Sequence, residues 1–137
     1  AFWRSPRIAR RPGLKAVEMF EAMADGRIKA VWIIATNPLA SLPDSARARA
    51  ALERCPLVVV SEAWHEAVTA QLAHVLLPAA AWGEKDGTVS NSERCLSRQR
   101  AFRAPPGAAR PDWWMVCEVA RRLGAEDGFD YAGPAQI

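Results

Sequence analysis

The segment WGEKDGTVSNSER, residues 82–94, concentrates hydrogen-bonding side chains around two glycines directly after an apolar run that ends at Pro78. Glycine lets the backbone approach a ligand closely or adopt a positive φ angle. Lys85 offers a positive charge suited to phosphate, whereas Glu84 and Asn91 offer directional polar contacts. Such a loop can hold a phosphorylated ligand, and it can equally be a simple β-hairpin with no ligand.

Two further polar segments follow apolar runs. In Thr36-Asn37-Pro38 the Asn carboxamide can both donate and accept, and the proline fixes the direction in which the chain turns away. In Ser61-Glu62 the carboxylate can accept from ribose hydroxyls. The alternatives are a turn without ligand in the first case, and in the second a Ser that caps the next helix, with Glu in its first turn. No GxGxxG occurs, which disfavours an ordinary NAD site.

The elements that must position these residues alternate between strand-like and helix-like patterns. Apolar runs rich in β-branched residues predict strands of the kind buried on both faces in a parallel sheet, at residues 29–36, 57–60 and 74–78. Helical spacing and composition predict four helices, at residues 14–25, 45–55, 66–72 and 113–124. We expect Asp44 and Asp112 to cap two of these helices, and Gly26 and Gly124 to end two.

This alternation predicts the α/β class, with a Rossmann-like doubly wound, mainly parallel sheet. We expect a basic lead-in over residues 1–12, an α/β domain over residues 13–124 and a tail over residues 125–137. Sheets of this kind bind ligands at the carboxyl ends of their strands. Since all three polar segments follow a strand, they can converge on one crevice.

Composition excludes several function classes. The chain has 137 residues, enough for one domain, and no apolar run approaches the length of a membrane span. Its net charge of +3 includes an N-terminal group of basic residues, Arg4, Arg7, Arg10 and Arg11. We predict no nucleic-acid binding, because this group lacks interleaved aromatic residues and a recognition motif.

Cysteine and histidine usage predicts no metal site within the chain. Cys55, Cys95 and Cys117 are widely spaced and form no CxxC, so neither a zinc ribbon nor an iron–sulfur cluster is indicated. His65 and His74 are too far apart for an HExxH arrangement. Free thiols are typical of a reducing compartment, and we expect a cytoplasmic location.

Four segments occur in a particular order: GLKAVEMFEAMADGRIKAVWIIATNP (13–38), VVVSE (58–62), LLPAAAWGEKDGTVSNSERC (76–95) and PDWW (111–114). In this order and spacing they resemble the molybdopterin-dinucleotide-binding oxidoreductases, a family that contains bacterial nitrate reductases and formate dehydrogenases. The resemblance extends to about residue 124. The amino-acid sequences of three segments are most similar to the assimilatory nitrate reductase branch: PGLKAVEMF, TNPLASLPD and AAWGEKDGTVSNSER.

The resemblance implies a longer enzyme in which molybdenum is held by two molybdopterin guanine dinucleotides. That enzyme would reduce nitrate to nitrite, with an iron–sulfur cluster outside this chain. Its partners would be the remaining domains of the catalytic subunit and an electron-donor protein or domain. This chain would hold one dinucleotide tail, supply no catalytic residue and be inactive alone. The alternatives are a segment of a formate dehydrogenase alpha subunit and a non-enzymatic nucleotide-binding module.

The resemblance also implies roles for individual residues. Asn37 matches the dinucleotide contact of the first loop, and Ser61 with Glu62 matches a Ser-acidic pair expected at the guanosine. Lys85 matches the lysine of the glycine loop, and Asp112 matches an acidic residue expected to contact guanine, although a simple helix cap remains an alternative. Weaker candidates for cofactor binding are Thr36, Glu84, Gly87 and Asn91.

Three positions depart from the family's pattern. His74 stands where Asp is common, Cys95 stands where Arg is common, and Glu62 stands where the shorter Asp is more usual. If relatives use the first two groups as anchors, those anchors are altered in this chain. The longer side chain at position 62 keeps its charge but puts its contact with the guanosine in question.

Overall fold

The structure is a computed structural model, and it describes residues 9–125 and 128–137. The contacts group into two units, one running to Leu77 and the other beginning at Pro78. Residues 1–8 of the expected lead-in and residues 126–127 of the expected tail lie outside the described residues. The proposed domain boundaries stay a prediction.

The first unit is built on a three-stranded sheet with the strand order β1-β2-β3. Its strands are β1 Ala30–Ile34, β2 Leu57–Glu62 and β3 Val75–Pro78. β1 and β2 are parallel, with Ile34 opposite Ser61. The predicted α/β class with a mainly parallel sheet is therefore confirmed, and each predicted strand forms with its bounds shifted by a few residues.

In the described part of the first unit, three helices accompany this sheet: α1 Ala16–Ala24, α2 Pro38–Ser41 and α3 Ser45–Arg54. Asp44 caps α3 as predicted, because its carboxylate accepts from the backbone N–H of Arg47 at 2.9 Å. Gly26 has a φ of +73° two residues beyond α1, which is the left-handed conformation that ends a helix.

The core of the first unit lies between these helices and one face of the sheet. Met23 of α1 and Leu52 of α3 have no exposed surface, and Val58 and Val60 present alternate positions of β2 to the same cluster. Burying each such side chain contributes about 1.5–3 kcal/mol. In β1 only Ile33 is buried, so this strand is less buried than its apolar sequence predicts.

The predicted helix over residues 66–72 is wrong. The structure has turns there and a single 3₁₀ turn, Ala70–Leu72. The local sequence suits a helix, but the buried Thr69 side chain bonds the backbone N–H of Leu39 and the side chain of Asn37 instead. These contacts with a segment 30 and 32 residues away override the local helical preference.

The second unit contains a β-hairpin and one long helix. The hairpin pairs β4 Gly87–Ser90 with β5 Leu96–Gln99 in antiparallel fashion. The helix is α4 Asp112–Arg122, and Gly124, with a φ of +82°, follows its end as predicted. In the segment ahead of α4, Arg110 forms an isolated parallel bridge with Ala79. Among the described residues, no helix is long and apolar enough to cross a membrane.

Gly83 allows Phe102 to pack closely against the backbone. Neither Gly83 nor Gly87 has a positive φ. A Cβ atom on Gly83 would lie 2.3 Å from Phe102 Cζ, and the Gly83 carbonyl accepts from the backbone N–H groups of Phe102 and Arg103 at 3.0 and 3.2 Å. At Gly87 no heavy atom lies within 4 Å of an added Cβ.

His74 supplies a side-chain acceptor to the sheet. The imidazole Nδ1 of His74 accepts from the backbone N–H of Val58 at 2.9 Å. The backbone N–H of His74 in turn donates to the backbone carbonyl of Val58 at 2.9 Å. Val58 is fully buried, so its N–H has no access to water. A carboxylate oxygen of Asp can occupy a similar place, which gives a physical reason for the family's pattern at this position.

We predict that His74→Ala lowers the free energy of unfolding by about 1–3 kcal/mol, because the buried N–H of Val58 loses its acceptor. His74→Asn and His74→Asp place an oxygen near the position of Nδ1 and should recover most of this loss. Urea unfolding monitored by far-UV circular dichroism measures the three variants. Equal losses in all three would show that the imidazole contributes by packing and not by accepting this bond.

We predict that Gly83→Ala destabilises the second unit by about 0.5–1.5 kcal/mol, because the new methyl group overlaps the exposed ring of Phe102, which must leave its preferred rotamer. Phe102→Ala in the same chain should relieve the overlap, so that the double variant loses less stability than the sum of the two single variants. Gly87→Ala is the matched control and should change little. Additive losses in the double variant would contradict the proposed overlap.

Candidate functional site

The carboxyl ends of β1 and β2 lie at the same edge of the first unit's sheet. Because Ile34 faces Ser61 in the parallel register, the segments that follow the two strands leave the sheet side by side. Ala35 adopts a φ of +56° directly after β1, and this left-handed residue turns the chain out of the strand. Thr36 is exposed in that turn, and Asn37 is half-buried.

Asn37 is fixed by its backbone and by its side chain. Its carbonyl accepts from the backbone N–H groups of Ala40 and Ser41, at 3.0 and 3.1 Å. Its side-chain Oδ1 accepts from the hydroxyl of Thr69 at 2.6 Å. The structure thus brings together Asn37 and Thr69, a residue for which no functional role is predicted from the sequence.

Ser61 and Glu62 use their side chains for bonds that hold the edge itself. Ser61 is only 2% exposed, and its Oγ accepts from the indole N–H of Trp32 at 2.9 Å. Oε1 of Glu62 accepts from the backbone N–H groups of Ala63 and Trp64 at 2.8 and 3.2 Å. The half-buried Glu62 therefore stabilises the turn after β2, and the alternative of a helix capped by Ser61 with Glu62 in its first turn is wrong, because turns follow β2.

Lys85 and Asp112 form an ion pair in the second unit. Lys85 Nζ donates to Asp112 Oδ2 at 2.8 Å, and the two side chains are 30% and 27% exposed. Because both groups are mostly withdrawn from water, the pair is held more firmly than a fully exposed one.

The predicted capping role of Asp112 is wrong. Pro111 occupies the N-cap of α4 and makes no side-chain capping bond, whereas Asp112 is the first residue of the helix. The carboxylate turns instead to Lys85, which lies 27 residues earlier in the chain. A negative charge in the first turn of a helix is still favourable there.

Further contacts fix the backbone at Lys85 and the backbone just ahead of Asp112. The side-chain amide of Gln99 donates to the Lys85 carbonyl at 3.1 Å and also to the Trp82 carbonyl, so β5 holds the backbone on which Lys85 stands. Arg110 bonds the carbonyl of Pro78 through its backbone N–H at 3.0 Å, and this contact sets the start of α4 two residues later. No sequence signal pointed to Gln99.

The weaker candidates of the second unit hold the hairpin in place. Glu84 accepts from the backbone N–H of Ala81 at 2.9 Å and pairs with Arg103 at 3.5 Å. Oδ1 of Asn91 accepts from the backbone N–H of Cys95 at 3.1 Å and closes the turn between β4 and β5. The second half of the segment over residues 82–94 thus forms the first strand and the turn of a β-hairpin.

Gly87 lines a cavity of about 380 Å³. The other residues around it are Asp86, Thr88, Arg98, Gly133, Pro134 and Ala135. A second cavity, of about 100 Å³ and mostly apolar lining, lies among residues of α1 and α3 in the first unit. Within residues 9–125 and 128–137 there is no group of three or more His, Cys, Asp or Glu side chains placed to hold a metal ion.

The chain is similar in sequence to known proteins of one family. Residues 6–122 match the family model described as molybdopterin oxidoreductase. The chain is 53% identical over 136 residues to a nitrate reductase of Klebsiella oxytoca and 54% identical over 136 residues to one of Shewanella frigidimarina, covering 99% of this chain in each case. It is 40% identical over 119 residues, 87% of this chain, to the F420-dependent formate dehydrogenase subunit alpha of Methanocaldococcus jannaschii.

A solved structure is also similar. The acetylene hydratase of Pelobacter acetylenicus matches 86% of this chain with a TM-score of 0.74 and 27% sequence identity, and the match covers 17% of that protein. The chain likewise spans only 16%, 14% and 17% of the two nitrate reductases and the formate dehydrogenase subunit. Since the family model matches most of the chain, the chain belongs to the molybdopterin oxidoreductase family.

Proposed function

We propose that this chain is the part of a molybdenum oxidoreductase that binds the guanine end of a molybdopterin guanine dinucleotide. The observation that carries the proposal is the Lys85–Asp112 pair, with its 2.8 Å contact and its partial burial. Family membership supports a molybdopterin cofactor. The proposal adds the guanine dinucleotide form and the residues that hold it.

The pair fits the chemistry of guanine. The Watson–Crick edge of guanine has two donors, N1–H and the exocyclic amine, and one acceptor, O6. Each carboxylate oxygen has two lone pairs, so Asp112 can accept from both guanine donors while Oδ2 keeps its bond to Lys85. The Lys85 ammonium has three donors and can direct another of them to O6. Adenine presents a donor where guanine presents O6 and would face the ammonium unfavourably.

In the first unit we propose that Asn37 contacts the phosphate or ribose part of the same kind of cofactor, and that Glu62 accepts from the ribose hydroxyls of its guanosine. Asn37 keeps its side-chain nitrogen, and Glu62 keeps its second carboxylate oxygen, beyond the bonds described above. Ser61, Glu84 and Asn91 would act by shaping the loops, since their side chains already hold backbone or indole groups. Thr36 and Gly87 would supply backbone close to the ligand.

For the whole enzyme we propose reduction of nitrate to nitrite. The identities of 53% and 54% to nitrate reductases, against 40% to a formate dehydrogenase subunit, support nitrate over formate. A bound molybdenum cofactor would supply the two-electron chemistry, and the residues of this chain would position and orient its dinucleotide tail. We propose that catalysis needs further domains, an iron–sulfur cluster and an electron donor, that the enzyme is cytoplasmic, and that this chain alone is inactive.

Formate oxidation is the second candidate. It is favoured by the formate dehydrogenase relative, which matches 87% of this chain. A dinucleotide tail is remote from the reacting substrate, so the residues that bind it suit either reaction. Assaying the full-length protein with nitrate and with formate separates the two candidates, and turnover of formate alone would contradict the nitrate proposal.

We predict that the chain binds GDP and that Asp112→Asn weakens binding by about tenfold to a hundredfold, because the carboxamide loses one acceptor and places an N–H against the guanine donors. Lys85→Met should weaken binding by about threefold to tenfold through loss of the O6 contact. Isothermal titration calorimetry measures both variants.

Two controls match the charge changes of these variants. Glu93→Gln lies in the same polar segment and Lys29→Met lies in the first unit, and both residues are exposed. Both controls should retain the GDP affinity of the parent chain. A GDP affinity that is unchanged in the Asp112→Asn and Lys85→Met variants, or that falls equally in the two controls, would contradict the proposed guanine contact.

A further inference from the structure

Thr69 is a buried polar residue that lies between two segments of the first unit. Its side chain is only 1% exposed. Its Oγ1 accepts from the backbone N–H of Leu39 at 3.2 Å and donates to Oδ1 of Asn37 at 2.6 Å. The hydroxyl therefore links the turn after β1 to the segment that precedes β3.

The hydrogen-bond inventory fixes the orientation of the Asn37 carboxamide. A Thr hydroxyl has one proton, and a buried hydroxyl proton needs an acceptor. If the carboxamide were flipped, its nitrogen would face Oγ1 and the Thr69 proton would lose the acceptor that it has in Oδ1, at a cost of about 1–3 kcal/mol. Oδ1 is therefore held toward Thr69, and Nδ2 is held away from it.

The nitrogen of this carboxamide is available to a ligand. Among residues 9–125 and 128–137, no acceptor contacts Asn37 Nδ2, and no buried side-chain nitrogen or oxygen lacks a partner. Nδ2 is therefore not fully buried, and its two N–H groups remain available as donors. Because the Asn37 carbonyl also holds the backbone N–H groups of Ala40 and Ser41, these donors stand on a fixed backbone.

We propose that Thr69 is a positioning residue that makes Asn37 a hydrogen-bond donor toward the cofactor, and that the group it contacts is the pyrophosphate. This inference rests on the proposed function, in which Asn37 touches the phosphate or ribose part of a dinucleotide. Phosphate oxygens only accept hydrogen bonds, and bonds from N–H to an anionic oxygen are stronger than those to a neutral hydroxyl. A carboxamide locked with its nitrogen outward suits such a group.

Titration of the full chain with inorganic pyrophosphate and with guanosine tests this role. Thr69→Val removes the hydroxyl with little change of shape and should weaken pyrophosphate binding by about threefold to tenfold, the equivalent of one lost hydrogen bond. Thr69→Ser keeps the hydroxyl and should stay within about twofold of the parent chain. Guanosine affinity should be the same in all three chains.

Two further measurements separate positioning from a merely structural role. In an Asn37→Ala background, Thr69→Val should cause no additional loss of pyrophosphate affinity, because the two residues act through one contact. Asn37→Asp can still accept from Thr69 and should remain folded, but it presents an anionic oxygen and should abolish pyrophosphate binding. This variant tests the inference even if Thr69→Val does not fold.

Unchanged pyrophosphate affinity in Thr69→Val, or pyrophosphate binding by Asn37→Asp as strong as that of the parent chain, would overturn the inference. Failure of the parent chain to bind pyrophosphate would overturn it as well. None of these three results affects the guanine contact at Asp112 and Lys85, which GDP titration of the variants at those two positions tests separately.

Discussion

The parallel pairing of β1 with β2 is the constraint on which the first unit depends. With Ile34 opposite Ser61, both strands end at one edge, and the segments that follow must leave the sheet side by side. Each segment is then held by hydrogen bonds from side chains: Asn37 by Thr69, and the turn after β2 by Glu62. Pairing sets where the polar residues lie, and these bonds set which of their atoms remain available.

The same distinction separates the candidate residues of the second unit. Glu84 and Asn91 use their side chains to hold the backbone of the hairpin segment. Lys85 and Asp112 bond each other across 27 residues and keep further donor and acceptor capacity. Residues with spare hydrogen-bonding capacity are the better candidates for ligand contacts, whereas residues with satisfied side chains build the loops that present them.

Sequence patterns correctly predicted the features that depend on neighbouring residues in the chain. The strands followed from β-branched apolar runs, the start of α3 from Asp44, and the ends of α1 and α4 from Gly26 and Gly124. The failures occur where distant contacts decide. Thr69 lies in a segment with helical composition but bonds residues 30 and 32 positions away, and Asp112 occupies a plausible capping position but turns to Lys85. The partner of a polar side chain, unlike its secondary structure, depends on the folded arrangement.

The proposed function requires the Lys85–Asp112 pair to recognise the edge of guanine. Calorimetric titration of the unmodified chain with GDP, inosine diphosphate and ADP tests it most directly, because these ligands share the ribose and phosphates and differ in the base. We expect GDP to bind tightest, inosine diphosphate to bind about tenfold more weakly because it lacks the exocyclic amine, and ADP to bind weakest. Equal affinity for all three ligands would contradict it.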